Sequence, residues 1–328
     1  MQGSIDIDAL FAALRKGDRA ALGRAITLVE STRIQDRETA QELIERCLLH
    51  AGNSFRLGIT GIPGVGKSTL IDVLGMAMIE AGHRVAVLAV DPSSSRSSGS
   101  ILGDKTRMER LSVQDAAFIR PSPTGGVLGG VARCTRETII LCEAAGYDRL
   151  LIETVGVGQS ELEVDRMTDL NLLLMLAGAG DELQGIKRGI MESADLIALT
   201  KAEGDNMPRA EAARRDLSNA VMYLPVRDSG RHPEVLLTSA IHGTGIQELL
   251  GLLEDLHATD MKSGRIAERR RAQALFWMQH AVNTGMQERM RTDAAINAAL
   301  PALEAAVKSG TKSPFKAAQE LLSLFLDR

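Results

Sequence analysis

Between Phe55 and Leu237 the chain repeats one pattern: a short apolar run without polar alternation, then a stretch whose apolar positions recur every three or four residues. The runs are Leu57 to Thr60, Val85 to Val90, Ala117 to Ile119, Leu150 to Ile152, Leu170 to Leu176, Leu196 to Leu199 and Val235 to Leu237. Alternating strand-like and helix-like segments predict a mostly parallel sheet, and the continuous apolar character of the runs predicts helices over both faces. In such a sheet a ligand sits beyond the carboxyl ends of the strands. Upstream, Leu22, Ile26 and Val29, then Leu43, Cys47 and Leu48, predict helices from Asp6 to about His50. Past about His257 a charged helical tract carries Arg265, Glu268 and Arg269 to Arg271, then Phe276-Trp277-Met278; Ser313-Pro314 marks a last helix start. The pattern divides the chain into an N-terminal helical segment (1–50), an α/β domain (51–258) and a C-terminal helical region (259–328). The arginine run reads as a solvated helix face. Phe276, Trp277, Leu322, Phe325 and Leu326 form an apolar stripe that needs a cover, and a second subunit is favoured over folding back, which makes the region a dimerisation arm.

Composition narrows the class. With 328 residues, 45% hydrophobic and 24% charged, the chain can bury a full core, and only 3% aromatic content leaves Ala, Leu, Ile, Val and Met to fill it. A net charge of -4 argues against a general nucleic-acid binder or a protein held on anionic membranes. Cys47, Cys134 and Cys142 are too few and scattered for a disulfide framework, and neither a C-x-x-C nor a zinc pattern is present. The first residues lack the basic and apolar regions of a signal peptide, and no apolar run is long enough to span a bilayer. A reducing, cytoplasmic setting is the expectation.

The first strand-to-helix turn carries the chemistry. Gly61-Ile62-Pro63-Gly64-Val65-Gly66-Lys67-Ser68-Thr69 fits G-x-x-x-x-G-K-[ST], a phosphate-binding loop in its proper setting. Its glycines let successive N–H groups face the phosphates, and the following helix adds the positive end of its dipole. Lys67 is expected to reach the outer phosphates and the Ser68 hydroxyl to ligate Mg²⁺. The α/β domain is therefore read as a P-loop nucleotide-binding domain.

Further motifs lie at later strand ends. Asp148 to Gly156 is an apolar strand ending in Glu153, with glycine three residues on. It resembles the Asp-x-x-Gly motif of GTPases, with Glu153 in place of Asp to hold a Mg²⁺-bound water and Gly156 to sense the γ-phosphate. Many small GTPases place Gln after that glycine; here the position is Val157, with Gln159 two residues further, which predicts slow hydrolysis without a partner. The Asp91 to Ser100 stretch would pass alone as a serine-rich linker, but it leaves the second strand on the phosphate side. Asp91 and Asp104 are candidates for metal or water positioning. Lys67, Asp91, Glu153 and Gly156 are thus the candidate catalytic residues, and Ser68, Asp91, Asp104 and Glu153 the candidate metal-holding ones.

Base choice rests on two loops. Thr200-Lys201-Ala202-Glu203 looks like a degenerate Asn-Lys-x-Asp, in which the lysine stem packs on guanine and the acid accepts from N1–H and the exocyclic amine. Glu203 keeps the acceptor pair on a stem one methylene longer. Thr200 lacks the amide that normally ties this loop to the phosphate loop, which bears on affinity more than on base identity. Ser239, Ala240 and Ile241 follow the last strand, with the Ala240 N–H expected at guanine O6. Together the two motifs favour GTP and GDP over adenine nucleotides.

At this point the chain resembles the methylmalonyl-CoA mutase-associated GTPases of the MeaB/ArgK type. The resemblance runs from the N-terminal helices through the phosphate loop, Val90-Asp91-Pro92-Ser93-Ser94, Glu153-Thr154-Val155-Gly156-Val157-Gly158-Gln159-Ser160 and Gly178 to Lys187, to the helical tail. It implies a homodimeric G protein that binds adenosylcobalamin-dependent methylmalonyl-CoA mutase, gates cofactor loading by GTP hydrolysis and protects the mutase from inactivation. Within the glycine-flanked loop, Asp181, Glu182, Gln184, Lys187 and Arg188 are candidates for a further switch read by the mutase; a simple strand-to-helix connection is the commoner fate of such a loop. Three other readings stay open: a nickel or cobalt metallochaperone GTPase on the same fold, disfavoured by dispersed histidines; an ATP-dependent small-molecule kinase, disfavoured by Lys201 to Glu203; and a scaffold that binds GTP structurally.

Overall fold

Each of the seven apolar runs is a strand: β1 (Phe55–Gly61), β2 (Val85–Val90), β3 (Ala117–Arg120), β4 (Arg149–Thr154), β5 (Leu170–Leu176), β6 (Leu196–Thr200) and β7 (Glu234–Leu237). The computed structural model describes residues 5–90, 108–120, 128–154, 160–177 and 188–326. The strands form one sheet in the order β3-β2-β4-β1-β5-β6-β7, and every neighbouring pair is parallel. Parallel neighbours need crossovers, and helices supply them. The helices are α1 (Ile7–Arg15), α2 (Arg19–Val29), α3 (Ile34–Leu48), α4 (Lys67–Glu80), α5 (Glu109–Ser112), α6 (Leu128–Ala144), α7 (Ser160–Asp165), α8 (Arg188–Glu192), α9 (Met207–Val221), α10 (Ile246–Lys262), α11 (Arg265–Thr292), α12 (Ala294–Lys308) and α13 (Pro314–Leu326).

Successive strand residues point to opposite faces, and in the central strands both faces are apolar. Leu172 and Leu174 of β5 join Leu57 and Ile59 of β1 in a core closed by Ile71, Leu74 and Met78 of α4 and by Leu249 and Leu253 of α10. Leu173 and Met175 turn the other way, onto Ile197 and Leu199 of β6 and Leu217 and Val221 of α9. This is why the runs show no polar alternation. The N-terminal helices α2 and α3 pack on α6, and aspartates cap α1 and α2: Asp6 accepts from the Ala9 N–H at 3.0 Å and Asp18 from the Ala20 N–H at 2.8 Å.

The chain divides into two compact units, with the boundary between Arg271 and Ala272 inside α11. The first holds the sheet. In the second, α13 starts as Ser313-Pro314 predicts, with Ser313 Oγ accepting from the Lys316 N–H at 3.2 Å. The expected stripe is corrected in part: Trp277 is buried within the chain and Phe276 and Phe325 are half-buried, while Leu322 and Leu326 are exposed; on α11 the exposed apolar positions are instead Leu275, Met278, Val282 and Met286, at helical spacing. No helix among the described residues is long and apolar enough to cross a membrane.

Charged residues buried at the amino ends of the strands brace the end opposite the phosphate loop. Arg56 of β1 donates through Nε and Nη2 to Glu143 of α6 at 2.7 and 2.9 Å, and its N–H donates to Asp169 at 2.9 Å. Arg270 donates to both oxygens of Asp169, at 2.7 and 2.6 Å, while Arg269 donates to Asp165 at 2.8 Å and to the Thr168 carbonyl at 2.9 Å. This corrects the expectation of a solvated face: of the three consecutive arginines only Arg271 is exposed. Their partners lie before β5, more than a hundred residues upstream, where no local charge pattern points.

Candidate nucleotide-binding site

β1 ends at Gly61 and α4 begins at Lys67, so the phosphate-binding motif lies at the carboxyl edge of the central strand. Glycine is sterically required at both ends of the loop. A Cβ on Gly61 would lie 2.7 Å from the Leu174 carbonyl of β5, and Gly66, the N-cap of α4, has φ 101° in the left-handed region. Val65 is buried and anchors the loop in the core, Ile62 packs partly against it, and Pro63, Gly64 and Thr69 are exposed. The first amides of α4, a helix of 14 residues, lie at this edge and provide positive potential.

Lys67 lies across its own loop. Its Nζ donates to the carbonyls of Gly61 at 2.6 Å and Ile62 at 3.2 Å, and the residue is only 8% exposed. Ser68 Oγ donates to Glu153 Oε1 at 3.3 Å. The pairing follows from topology, since β4 neighbours β1 with Glu153 opposite Ile59, which sets the β4 terminus beside the start of α4. Glu153 is 4% exposed. A hydroxyl and a buried carboxylate form a hard-oxygen pair of the type that Mg²⁺ selects beside phosphates.

The two loops that the sequence assigns to the base lie at the ends of β6 and β7. Thr200 Oγ1 donates to the Val65 carbonyl at 2.7 Å, and Lys201 Nζ to the Gly64 carbonyl at 2.9 Å. The tie from base loop to phosphate loop, expected to be missing without an amide at position 200, is therefore supplied by a hydroxyl and an ammonium. Lys201 has φ 56°, and its carbonyl accepts from Asn206 Nδ2 at 2.7 Å and from the Glu203 N–H at 3.0 Å. Ser239 Oγ donates to the Glu203 carboxylate and accepts from the His242 N–H at 3.1 Å. Ala202 N–H donates to the Thr238 carbonyl at 3.1 Å, which pins the two base loops together; Ala240 and the exposed Ile241 follow in the same turn.

The structure thus brings Lys67, Ser68, Glu153, Lys201, Glu203 and Ser239 to one edge of one sheet. Asp91, Asp104, Gly156, Asp181, Glu182, Gln184 and Lys187 lie outside the described residues, as do Val157 and Gln159; Arg188 opens α8. Two contributions escaped the sequence reading: the Thr200 hydroxyl and the Asn206 amide. Asn206 stands just before Met207-Pro208, so in sequence it looks like an ordinary helix cap.

The chain matches the family model described as "Methylmalonyl Co-A mutase-associated GTPase MeaB" over residues 22–295. It is 51% identical over 318 residues to a probable GTPase of Mycobacterium tuberculosis, covering 97% of this chain and 95% of the relative. It is 46% identical over 332 residues to the mouse (Mus musculus) protein named "Methylmalonic aciduria type A homolog, mitochondrial", covering 98% of this chain and 80% of that one. A solved structure described as an LAO/AO transport system kinase superposes with a TM-score of 0.76 at 35% identity, covering 100% of both chains. By matched length and by identity, the chain belongs to the MeaB family of methylmalonyl-CoA mutase-associated GTPases.

Proposed function

We propose that this chain is a GTP-hydrolysing switch whose partner is adenosylcobalamin-dependent methylmalonyl-CoA mutase, and that it gates cofactor loading of the mutase and protects it from inactivation. The observation that carries the guanine-nucleotide part is the double tie from Thr200 and Lys201 to the carbonyls of Val65 and Gly64, which fixes the base loop relative to the phosphate loop. Two clamps held at fixed separation suit one ligand with a charged tail and a flat base. Lys67 reorients from its loop carbonyls to the outer phosphates. Glu203, oriented by Ser239, accepts from N1–H and the exocyclic amine of guanine; adenine offers neither donor there. The Ala240 N–H meets O6, and Ile62, Pro63, Thr69 and Ile241 complete the lining.

Ser68 and Glu153 would hold Mg²⁺, with Asp91 and Asp104 as further candidates from the sequence. When bound, the ion supplies charge neutralisation at the phosphates. Family membership supports the mutase as partner, and the same proposal assigns the segment holding Asp181, Glu182, Gln184, Lys187 and Arg188 to sensing it. The exposed stripe of Leu275, Met278, Val282 and Met286 supports a homodimer joined through α11, because an unpartnered apolar stripe on one helix needs a cover.

The test is single-turnover GTP hydrolysis with and without purified mutase. The expected result is slow turnover alone and at least about a tenfold rise with mutase, a floor set well below the roughly 10³–10⁵-fold that a partner-supplied charge adds at GTPase sites. A Lys187→Glu variant should lose the rise and keep its GTP affinity, and light scattering should give twice the 35.2 kDa chain mass. An unchanged rate in the presence of mutase contradicts the switch and leaves a scaffold; a monomer contradicts the arm.

A further inference from the structure

Lys201 is the single non-glycine residue with positive φ among the described residues, and it stands in the middle of the base loop. A lysine there is strained, because its Cβ crowds the neighbouring carbonyl, and such a conformation persists only where its surroundings hold it. Two groups grip its backbone, the Glu203 N–H at 3.0 Å and Asn206 Nδ2 at 2.7 Å, both on the Lys201 carbonyl. The other end of the residue reaches the phosphate loop through Nζ to Gly64.

Asn206 occupies the N-cap position of α9, where Asn is favoured because its side-chain oxygen accepts from an unpaired amide of the first turn. It makes no such bond. With φ -83° and ψ -14° its backbone is already helical, and its amide turns backward to Lys201 instead. Pro208 occupies the first turn and has no N–H to cap, so the helix start needs less from this side chain. The residue has exchanged a capping role for a donor role.

We propose that Asn206 is a positioning residue for guanine recognition: by donating to the Lys201 carbonyl it holds Lys201 in the left-handed conformation that aims the lysine stem and the Glu203 carboxylate at the base. The inference rests on the reading of Lys201 and Glu203 as the guanine loop. Without the amide, Lys201 relaxes toward negative φ, its Nζ leaves Gly64, and Glu203 swings relative to Ser239. The phosphate loop keeps its own bonds. The loss therefore falls on base discrimination, not on phosphate affinity.

The two roles of Asn206 predict opposite behaviour for Asn206→Asp. Aspartate caps a helix at least as well as asparagine but has no N–H to donate, and its charge would face the Lys201 carbonyl. Calorimetry in magnesium buffer with GDP and with IDP, which lacks the 2-amino group, would be run on wild type, Asn206→Ala and Asn206→Asp, with the melting temperature of each. The expected result is a wild type that prefers GDP over IDP by at least about tenfold, the scale of one net hydrogen bond. Both variants should lose about tenfold in GDP affinity with a smaller loss for IDP, while Asn206→Asp melts no lower than wild type. Wild-type binding and preference in Asn206→Asp, with a defect only in Asn206→Ala, would assign the residue to helix capping and overturn the proposal. Equal proportional losses for GDP and IDP would also overturn it. A wild type indifferent to the 2-amino group would instead bring down the guanine-loop reading itself.

Discussion

Replacing Lys67 with alanine is expected to weaken binding of GTP and GDP about 100-fold, the loss that accompanies removal of a charged hydrogen-bond donor to phosphate. The ammonium is held by the carbonyls of Gly61 and Ile62, so it waits at the loop instead of being drawn from a flexible surface chain. Little ordering entropy is then spent when phosphate arrives. The fold should survive, because these bonds lie within the loop and not between layers of the core. Ser68→Ala gives the contrast: Ser68 meets Glu153 at 3.3 Å, so its loss should weaken magnesium dependence more than nucleotide affinity in metal-free buffer. Titration with a fluorescent guanine nucleotide, with and without magnesium, separates the two, and equal affinity in wild type and both variants contradicts the assignments.

A second large effect lies at the opposite end of the sheet. Glu143→Ala removes the carboxylate that faces Arg56, leaving a buried guanidinium unpaired, and is expected to cost about 3–5 kcal/mol. The Glu143 side chain is 1% exposed and that of Arg56 8%, so water cannot replace the lost partner. For a domain of this size that corresponds to a fall in Tm of about 10 °C, measurable by calorimetry. The pair also sets the response to acid. Burial alone would push the Glu143 carboxyl up, but the charge of Arg56 and hydrogen bonds from Arg56, Ser54 and Gly52 outweigh it and hold the group below the usual carboxylate range. Asp165 behaves alike: burial opposes ionisation, and Arg269 and Arg227 overcome it. A folded value below the unfolded one means that the stabilisation is fully present above the unfolded value, about 4.3 for Glu and 3.9 for Asp, and is lost as pH falls through the folded one. Tm should therefore hold down to about pH 5 and drop below it, with a shallower drop in Glu143→Gln. An identical acid profile in that variant would show that the pair contributes nothing to the pH response.

The sheet was legible in the sequence because each central strand is covered on both faces, so burial writes itself as an uninterrupted run such as Leu170 to Leu176. The phosphate loop was legible because backbone geometry restricts residue choice at Gly61 and Gly66. What joins the parts was not. Thr200 and Val65 are 135 positions apart, and their bond exists because β5 alone separates β6 from β1 in the sheet. Thr200 looked like a deficit when compared with Asn one position at a time. In space its hydroxyl meets the same loop from a shorter stem. Arg269 and Arg270 misled for the mirror-image reason: a run of like charge resembles a solvated face until the carboxylates of Asp165 and Asp169 are folded against it.

In the proposed function one site grips the phosphates of a nucleotide and the 6-oxo, 2-amino edge of its purine through loops tied at Thr200 and Lys201. Calorimetric titration of the wild-type chain with GTP and with ATP, side by side in magnesium buffer, puts that grip to the proof. GTP should be taken up tightly and preferred over ATP by at least about 100-fold, since two donor contacts at Glu203 are absent from adenine. Equal affinity for the two nucleotides, or stronger binding of ATP, would contradict it.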